Sequence, residues 1–241
     1  MEKGVIRRTT EEQRYKCINC GHNVPELCKK YNANVIKLAH CDLCGKQVDK
    51  YIEFDPVIIF LDAVLQKKEP YRHVIFNTEF KAHWRLVIFF IICDAYVMWT
   101  QEKSLSEAKT SNYEPLFYAI EGRFYNMCMK ASIEILVFFS TVIICSELRF
   151  QLRGPAGSRP RPSIRSVLDG IIISSFGKFL AIPAIIWGQS SNVVYLTLTE
   201  LLIFTSNVQA FTVTWEARKA VSIAIIGCGF LMRYCLHPLW S

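Results

Sequence analysis

Polar and charged residues dominate positions 1–53, and nearly all long apolar runs fall after Leu86. That division predicts a soluble head followed by a membrane region. A spanning helix needs about 20 mainly apolar residues. Five stretches meet that need, near 83–100, 129–148, 167–187, 193–212 and 219–236. The first is the shortest: Leu86–Trp99 contains Asp94 and reaches spanning length only when His83 and Trp84 are included. A re-entrant first segment would leave four spans instead of five.

Between head and first span lies a different pattern. Asp55 is placed to cap a helix, Pro56 suits its first turn, and Val57, Ile58, Phe60, Leu61, Val64 and Leu65 follow. This helix is too short to cross a bilayer. It either lies in the interface plane or packs beneath the head. The chain thus divides into a head over 1–53, an amphipathic linker over 54–82 and a transmembrane bundle over 83–236.

Composition supports the division. Of 241 residues, 51 % are apolar, and the mean hydropathy is +0.21, high for a soluble domain. The formal charge of +7 adds sidedness. The loop at 149–166 holds Arg149, Arg153, Arg159, Arg161 and Arg165 without an acid, among Gly154, Pro155, Gly157, Pro160 and Pro162. The loop after the first span holds only Lys103, Lys109 and Arg123. Lys/Arg excess marks the cytoplasmic side, so the head is expected in the cytosol and the C-terminus in the lumen. Arg233 alone points the wrong way and is expected to snorkel. In a membrane protein, basic clusters of this kind face anionic lipid, and no nucleic-acid partner is expected. Met1 to Cys20 contains no apolar signal core, so the first span is expected to target itself.

The head carries the sharpest chemical signal. Cys17-Ile-Asn-Cys20-Gly21 and Cys41-Asp-Leu-Cys44-Gly45 are two knuckles of one design. Two intervening residues let a tight turn aim both sulfurs at one ion, and the following glycine accepts a positive φ without steric penalty. Paired C-x-x-C units at this separation match structural zinc sites. Strands over Glu26–Tyr31 and Val35–His40, joined by a turn at Asn32-Ala33-Asn34, would complete a zinc ribbon. Cys28, His22 and His40 read as hairpin residues, not ligands. One structural zinc on Cys17, Cys20, Cys41 and Cys44 is expected, with no open position for catalysis.

Within the spans stand Asp94, Glu134, Lys178 and Glu200, and the fourth span puts Thr197, Glu200 and Asn207 roughly on one helical face. Each ionisable residue costs about 2.5–3.5 kcal/mol on insertion scales, so each should face the bundle interior. Lys178 and Glu200 fall near the midplane of neighbouring spans and are expected to pair. The cluster is either a lipid-headgroup or proton site, or a helix–helix clamp. Gly170, Ser174, Gly177 and Ala181 offer the third span a small-residue packing face, and Pro183 should kink it. No metalloprotease, nucleophile-elbow, phosphate-loop or dinucleotide motif is present.

Several segments are recognisable. The double knuckle followed by Asp49-Lys50-Tyr51-Ile52-Glu53-Phe54-Asp55-Pro56-Val57-Ile58-Ile59, and then Tyr71-Arg72-His73-Val74-Ile75-Phe76-Asn77, resembles the Arv homology domain. Ser174-Ser175-Phe176-Gly177-Lys178, Ile182-Pro183-Ala184 and Thr205-Ser206-Asn207-Val208-Gln209-Ala210 are similar to the membrane region of the same Arv family. The resemblance covers about residues 15–236. It implies a multi-pass protein of the endoplasmic reticulum, or of the Golgi beyond it. That protein would act in lipid homeostasis through sterol transport and distribution, sphingolipid balance and early glycosylphosphatidylinositol-anchor synthesis. The partners it implies are those membrane lipids and the membrane subunits of lipid enzymes. No catalytic residue comes with it.

The expected fold is therefore an all-α multispan membrane bundle of about five helices with a small N-terminal β zinc-ribbon head. The expected function is non-enzymatic, as lipid transporter or scaffold. The alternative is a lipid-modifying enzyme or flippase that uses Lys178 and Glu200.

Overall fold

The computed structural model describes residues 15–32, 35–78, 83–107, 116–153, 161–189 and 192–236. The turn expected at 33–34 and most of the first two inter-span loops, at 108–115 and 154–160, lie outside the described residues. The chain forms two units, Met1–Glu79 and Phe80–Ser241.

In the first unit, two antiparallel ladders frame the knuckles. Strand β1 (Tyr15–Lys16) pairs with β2 (Asn23–Val24) around Cys17–Gly21, and β3 (Cys28–Asn32) pairs with β4 (Val35–Leu38). A bridge between His40 and Gln47 closes the second knuckle as β1–β2 closes the first. The hairpin expected from sequence is thus present. The core is small: Cys17, Val24, Ala39, Cys41 and Val48. A core of this size cannot hold a ribbon by apolar burial alone, which is why domains of this kind need a metal or other staples.

Helix α1 (Pro56–Val64) starts as its sequence dictates. The Asp55 carboxylate accepts from the Val57 N–H at 2.9 Å, and Pro56 occupies the first turn. No residue of α1 is buried. Val57, Phe60, Leu61 and the adjoining Leu65 are 48–67 % exposed, so the apolar side of the helix does not pack beneath the ribbon. Helix α2 (Lys68–Arg72) runs directly into a π-helical turn, His73–Asn77.

The second unit is helical: α3 (His83–Glu107), α4 (Leu116–Arg153), α5 (Ile164–Ser174), α6 (Ala181–Ile186), α7 (Val193–Trp215) and α8 (Lys219–Leu236). Five stretches are long and apolar enough to cross a membrane: Trp84–Lys103, Gly122–Leu152, Ile164–Ile186, Val193–Trp215 and Lys219–Leu236. The first is one unbroken helix of 25 residues, not a re-entrant hairpin. Helix α4 runs through Arg153, so Arg149 and Arg153 stand on a helix and not in a loop. Arg161 meets Glu147 on α4 at 2.5 Å.

Helix α4 packs on α3 and α8, and α7 packs on α5 and α8. Their shared core is Phe138, Val142, Val167, Ile171, Val208, Phe211, Ile225 and Ile226. The third span is broken. Between α5 and α6, Ser175–Leu180 winds as a 3₁₀ helix. The expected distortion of this span is present as that 3₁₀ run, which lies upstream of Pro183. A proline removes its own N–H and crowds the carbonyl four residues earlier, here Phe179, inside the 3₁₀ run. The expected small-residue face is buried throughout. A Cβ on Gly177 would come within 2.7 Å of the Ile203 side chain, so this stretch rides directly on α7.

Candidate metal centre and intramembrane groove

The two knuckles are near copies. Gly21 and Gly45 have φ of 82° and 68°, and their N–H groups donate to the carbonyls of Cys17 and Cys41 at 2.9 and 2.8 Å. The N–H groups of Cys17 and Cys41 donate to His22 and Lys46, both at 2.9 Å. The Sγ atoms of Cys17, Cys20, Cys41 and Cys44 all lie within 4.8 Å of one another. Cys17 to Cys44 is 3.7 Å and Cys20 to Cys41 is 3.6 Å. Four sulfurs at the corners of a tetrahedron, each about 2.3 Å from a central ion, stand about 3.8 Å apart. The residues therefore fit a tetrahedral thiolate metal site. Among the described residues, Cys28, His22 and His40 do not join this cluster.

The thiols are tuned unequally. Burial pushes Cys17 up, and Cys20 up to about 12. Burial also pushes Cys41 up, but the N–H groups of Cys44 and Leu43 together with the Cys20 and Cys44 side chains outweigh it and bring that thiol down to about 7. The knuckle turn thus supplies the donors that a bound thiolate requires.

A polar lock joins the ribbon to the helices after it. Asp49 is fully buried. One carboxylate oxygen accepts from the Tyr51 N–H at 3.0 Å; the other meets His73 Nδ1 at 2.7 Å and accepts from Asn77 Nδ2 at 2.6 Å. The π turn makes this possible by bringing His73 and Asn77 to one carboxylate. Asn77 also exchanges two hydrogen bonds with the Lys16 backbone, both 2.9 Å. Arg72 donates to the carbonyls of Ile18 and Asn19, each at 2.7 Å, so its guanidinium grips the first knuckle. Reading the residues singly missed this lock. Apart from the Tyr51 N–H, its partners are 24–61 residues apart, and no short motif announces such pairing. Only the resemblance had singled out Asp49, Arg72, His73 and Asn77.

The intramembrane residues come together differently from expectation. Lys178 pairs with Asp94 of α3, not with Glu200. Glu200 meets Arg233 at 3.4 Å, and Arg233 meets the buried Glu134 at 2.9 Å. Arg233 therefore does not snorkel to the interface; it is the cation shared by two carboxylates. Thr197, expected on the face of Glu200 and Asn207, bonds its own helix at the Val193 carbonyl.

Between these two ion-pair groups lies a half-open groove. Phe90, Phe138, Phe139 and Phe230 form much of its wall; Lys178 and Arg233 border it, and Ser175 and Asn207 supply further polar atoms. Asn207 is 1 % exposed. Its Oδ1 accepts from Ser174 at 2.5 Å and lies 3.4 Å from the Ser175 hydroxyl, while its Nδ2 has no hydrogen-bond partner. The two segments that meet here, 174–178 and 205–210, are two of the three through which the membrane region resembles the Arv family.

A family model described as the Arv1-like family matches residues 16–211. The chain is 36 % identical to human Protein ARV1 over 218 residues, which is 90 % of this chain and 79 % of that protein. It is 26 % identical to Protein ARV 1 of Arabidopsis thaliana over 94 % of this chain and 89 % of the plant protein. To Protein arv1 of Schizosaccharomyces pombe it is 27 % identical, over 88 % and 79 %. No solved structure matches. A family profile spanning both the metal centre and the broken third span, together with relatives aligned along most of their length, shows that this chain belongs to the Arv1-like family.

Proposed function

We propose that this protein is a non-catalytic factor of lipid homeostasis in the endoplasmic reticulum membrane, supporting sterol distribution, sphingolipid balance and early glycosylphosphatidylinositol-anchor synthesis. The observation that carries the reading is the groove. Its wall is largely apolar, and its bordering cations are held in the ion pairs Lys178–Asp94 and Arg233–Glu134–Glu200. Each of these ionisable groups is engaged by an opposite charge, while the phenylalanine wall suits a lipid. In the head, one zinc ion on the four cysteines is structural, because four thiolates leave no position for an activated water.

The head faces the cytosol in this reading, following the arginine excess before the third span. Helix α1 seats its exposed Val57, Phe60 and Leu61 in the bilayer surface. A glycosylation sequon engineered near 104–111 is then modified and one near 154–163 is not; the opposite pattern inverts the topology.

The test of function has two arms. Purified protein in liposomes converts no sterol, ceramide or phosphatidylinositol-glycan lipid, while cells lacking the protein show disturbed pools of those lipids. The Cys17→Ser, Cys20→Ser variant fails to restore them even when it accumulates normally. Steady product formation, or full rescue by a variant lacking residues 1–53, overturns the reading. The second reading, a flippase or lipid-modifying enzyme, draws on the placement of Lys178 and Arg233 at the groove; product formation that is lost with Lys178→Met would establish it.

A further inference from the structure

We infer that the groove at the break in the third span binds a lipid whose polar part is an uncharged hydroxyl on an apolar body, and that Asn207 is the anchor for that hydroxyl. The inference rests on the lipid-handling reading above and names the ligand class.

Asn207 supplies the first reason. A buried amide donor without a partner costs about 1–3 kcal/mol, and native structures rarely leave one. Here Nδ2 is such a donor, on a side chain lining the groove. Ser174 and Ser175 each have a single hydroxyl proton, and each hydroxyl also lies within reach of the Ile171 carbonyl, at 3.1 and 2.8 Å. When the serines give their protons to Ile171, the amide turns over and presents an orphaned oxygen instead. A hydroxyl both donates and accepts, so it satisfies either orientation. A carbonyl, ether or phosphate oxygen satisfies only one.

Charge gives the second reason. Two cations, Lys178 and Arg233, stand against three carboxylates, Asp94, Glu134 and Glu200. No cation is left to receive a phosphate, and the sum repels an anion. The polar part of the ligand is therefore neutral.

The backbone gives the third. The 3₁₀ run Ser175–Leu180 begins at the middle of the span Ile164–Ile186. Helices interrupted at mid-membrane depth occur where backbone lines a cavity, and in transporters they mark the binding site. Tyr195 holds the break by donating to the Leu180 carbonyl at 2.5 Å. A polar anchor at that depth gives a lipid hydroxyl a partner where the hydrocarbon offers none. That is the point at which a hydroxyl crossing between leaflets is least stable.

The shared chemistry covers sterols, ceramides and diacylglycerols, and the experiment separates them. The full chain in nanodiscs is photolabelled with diazirine forms of a sterol, a ceramide, a diacylglycerol and phosphatidylinositol, with the deoxy analogue of each hydroxyl lipid as control. Saturable labelling of peptides spanning 172–178 or 203–207 is expected from at least one hydroxyl probe, at least about tenfold weaker from its deoxy analogue. Asn207→Leu reduces the labelling by a similar factor while the thermal midpoint stays level or rises, because the substitution removes an unsatisfied donor. Equal labelling by hydroxyl and deoxy probes overturns the inference without requiring any variant to fold, as does undiminished labelling of Asn207→Leu. Labelling of the groove by phosphatidylinositol alone overturns the hydroxyl assignment but leaves the lipid-handling reading standing. No saturable labelling by any lipid overturns both.

Discussion

Asp49 in the head and Asn207 in the bundle are both shielded from solvent, at 0 and 1 % exposure, and they are treated differently. Asp49 meets the Tyr51 N–H, His73 and Asn77, and each of its oxygens is engaged. Asn207 is engaged at one end by Ser174 and Ser175 and at the other by nothing. Completed polar networks hold a shape, because removing any member leaves a buried group exposed to no solvent. Incomplete ones ask for a further molecule. By that measure the head is built to be a fixed object and the bundle to receive something.

The comparison breaks first at the metal. Replacing any one of Cys17, Cys20, Cys41 or Cys44 by serine should unfold the ribbon, since apparent binding energies of about 10–16 kcal/mol at structural zinc sites are also folding energy. Elemental analysis of the purified full chain should give one zinc per chain, falling to none, with protease cleavage appearing across 15–78. A zinc-free chain whose head stays protected would end the claim. Next comes the lock: Asp49→Ala leaves His73, Asn77 and the Tyr51 N–H without their acceptor and should cost about 3 kcal/mol. Hydrogen exchange across 50–77 would report it, and unchanged protection would show that the ribbon does not depend on the lock.

In the bundle, Lys178→Met or Asp94→Leu alone should lower the thermal midpoint more than the double replacement, because a single change strands a buried charge at about 3 kcal/mol. Losses that simply add would refute the pairing. Glu200→Leu should matter least of the bundle acids, its side chain being 46 % exposed and Arg233 retaining Glu134. The smallest effect is an acid limb in the head. The Lys67 and Tyr51 hydrogen bonds hold the Asp62 carboxyl below its usual range. A folded-state value below the unfolded one adds stability that is full above about pH 4 and lost as pH falls through the lowered value. With Lys67 half-exposed, the gain is under about 1 kcal/mol. Asp62→Asn should flatten the limb of a pH-dependent melting curve; an unchanged curve would remove Asp62 from the account.

What could be read from the chain alone follows a physical boundary. Spans and knuckles were legible because length, apolar runs and C-x-x-C spacing are local quantities, and the knuckles 17–21 and 41–45 need only their own turns to form. The partner of Lys178 was not. Sequence gives a residue's approximate place along its span, and it puts Lys178 and Glu200 near the middle of neighbouring spans. It does not give the order of helices around the bundle, which brings Asp94 of α3 to Lys178 and turns Glu200 toward Arg233 of α8. The orphaned amide of Asn207 was equally hidden. An unmet hydrogen bond is a property of surroundings, and those surroundings are Ser174 and Ser175, more than thirty positions away.

The two knuckles, alike in backbone, are not alike in what holds them. The first is gripped by Arg72 at the Ile18 and Asn19 carbonyls, and Gly21 lies against that guanidinium. The second has open space around Gly45 and an exposed Leu43. Equilibrium affinity belongs to all four sulfurs together, but exchange does not. An ion held by the four sulfurs would leave by losing one two-sulfur arm before the other, and the arm on the ungripped turn would swing first. Its lifetime would then be set at Cys41 and Cys44, with Arg72 making the first knuckle the half of the claw that stays closed.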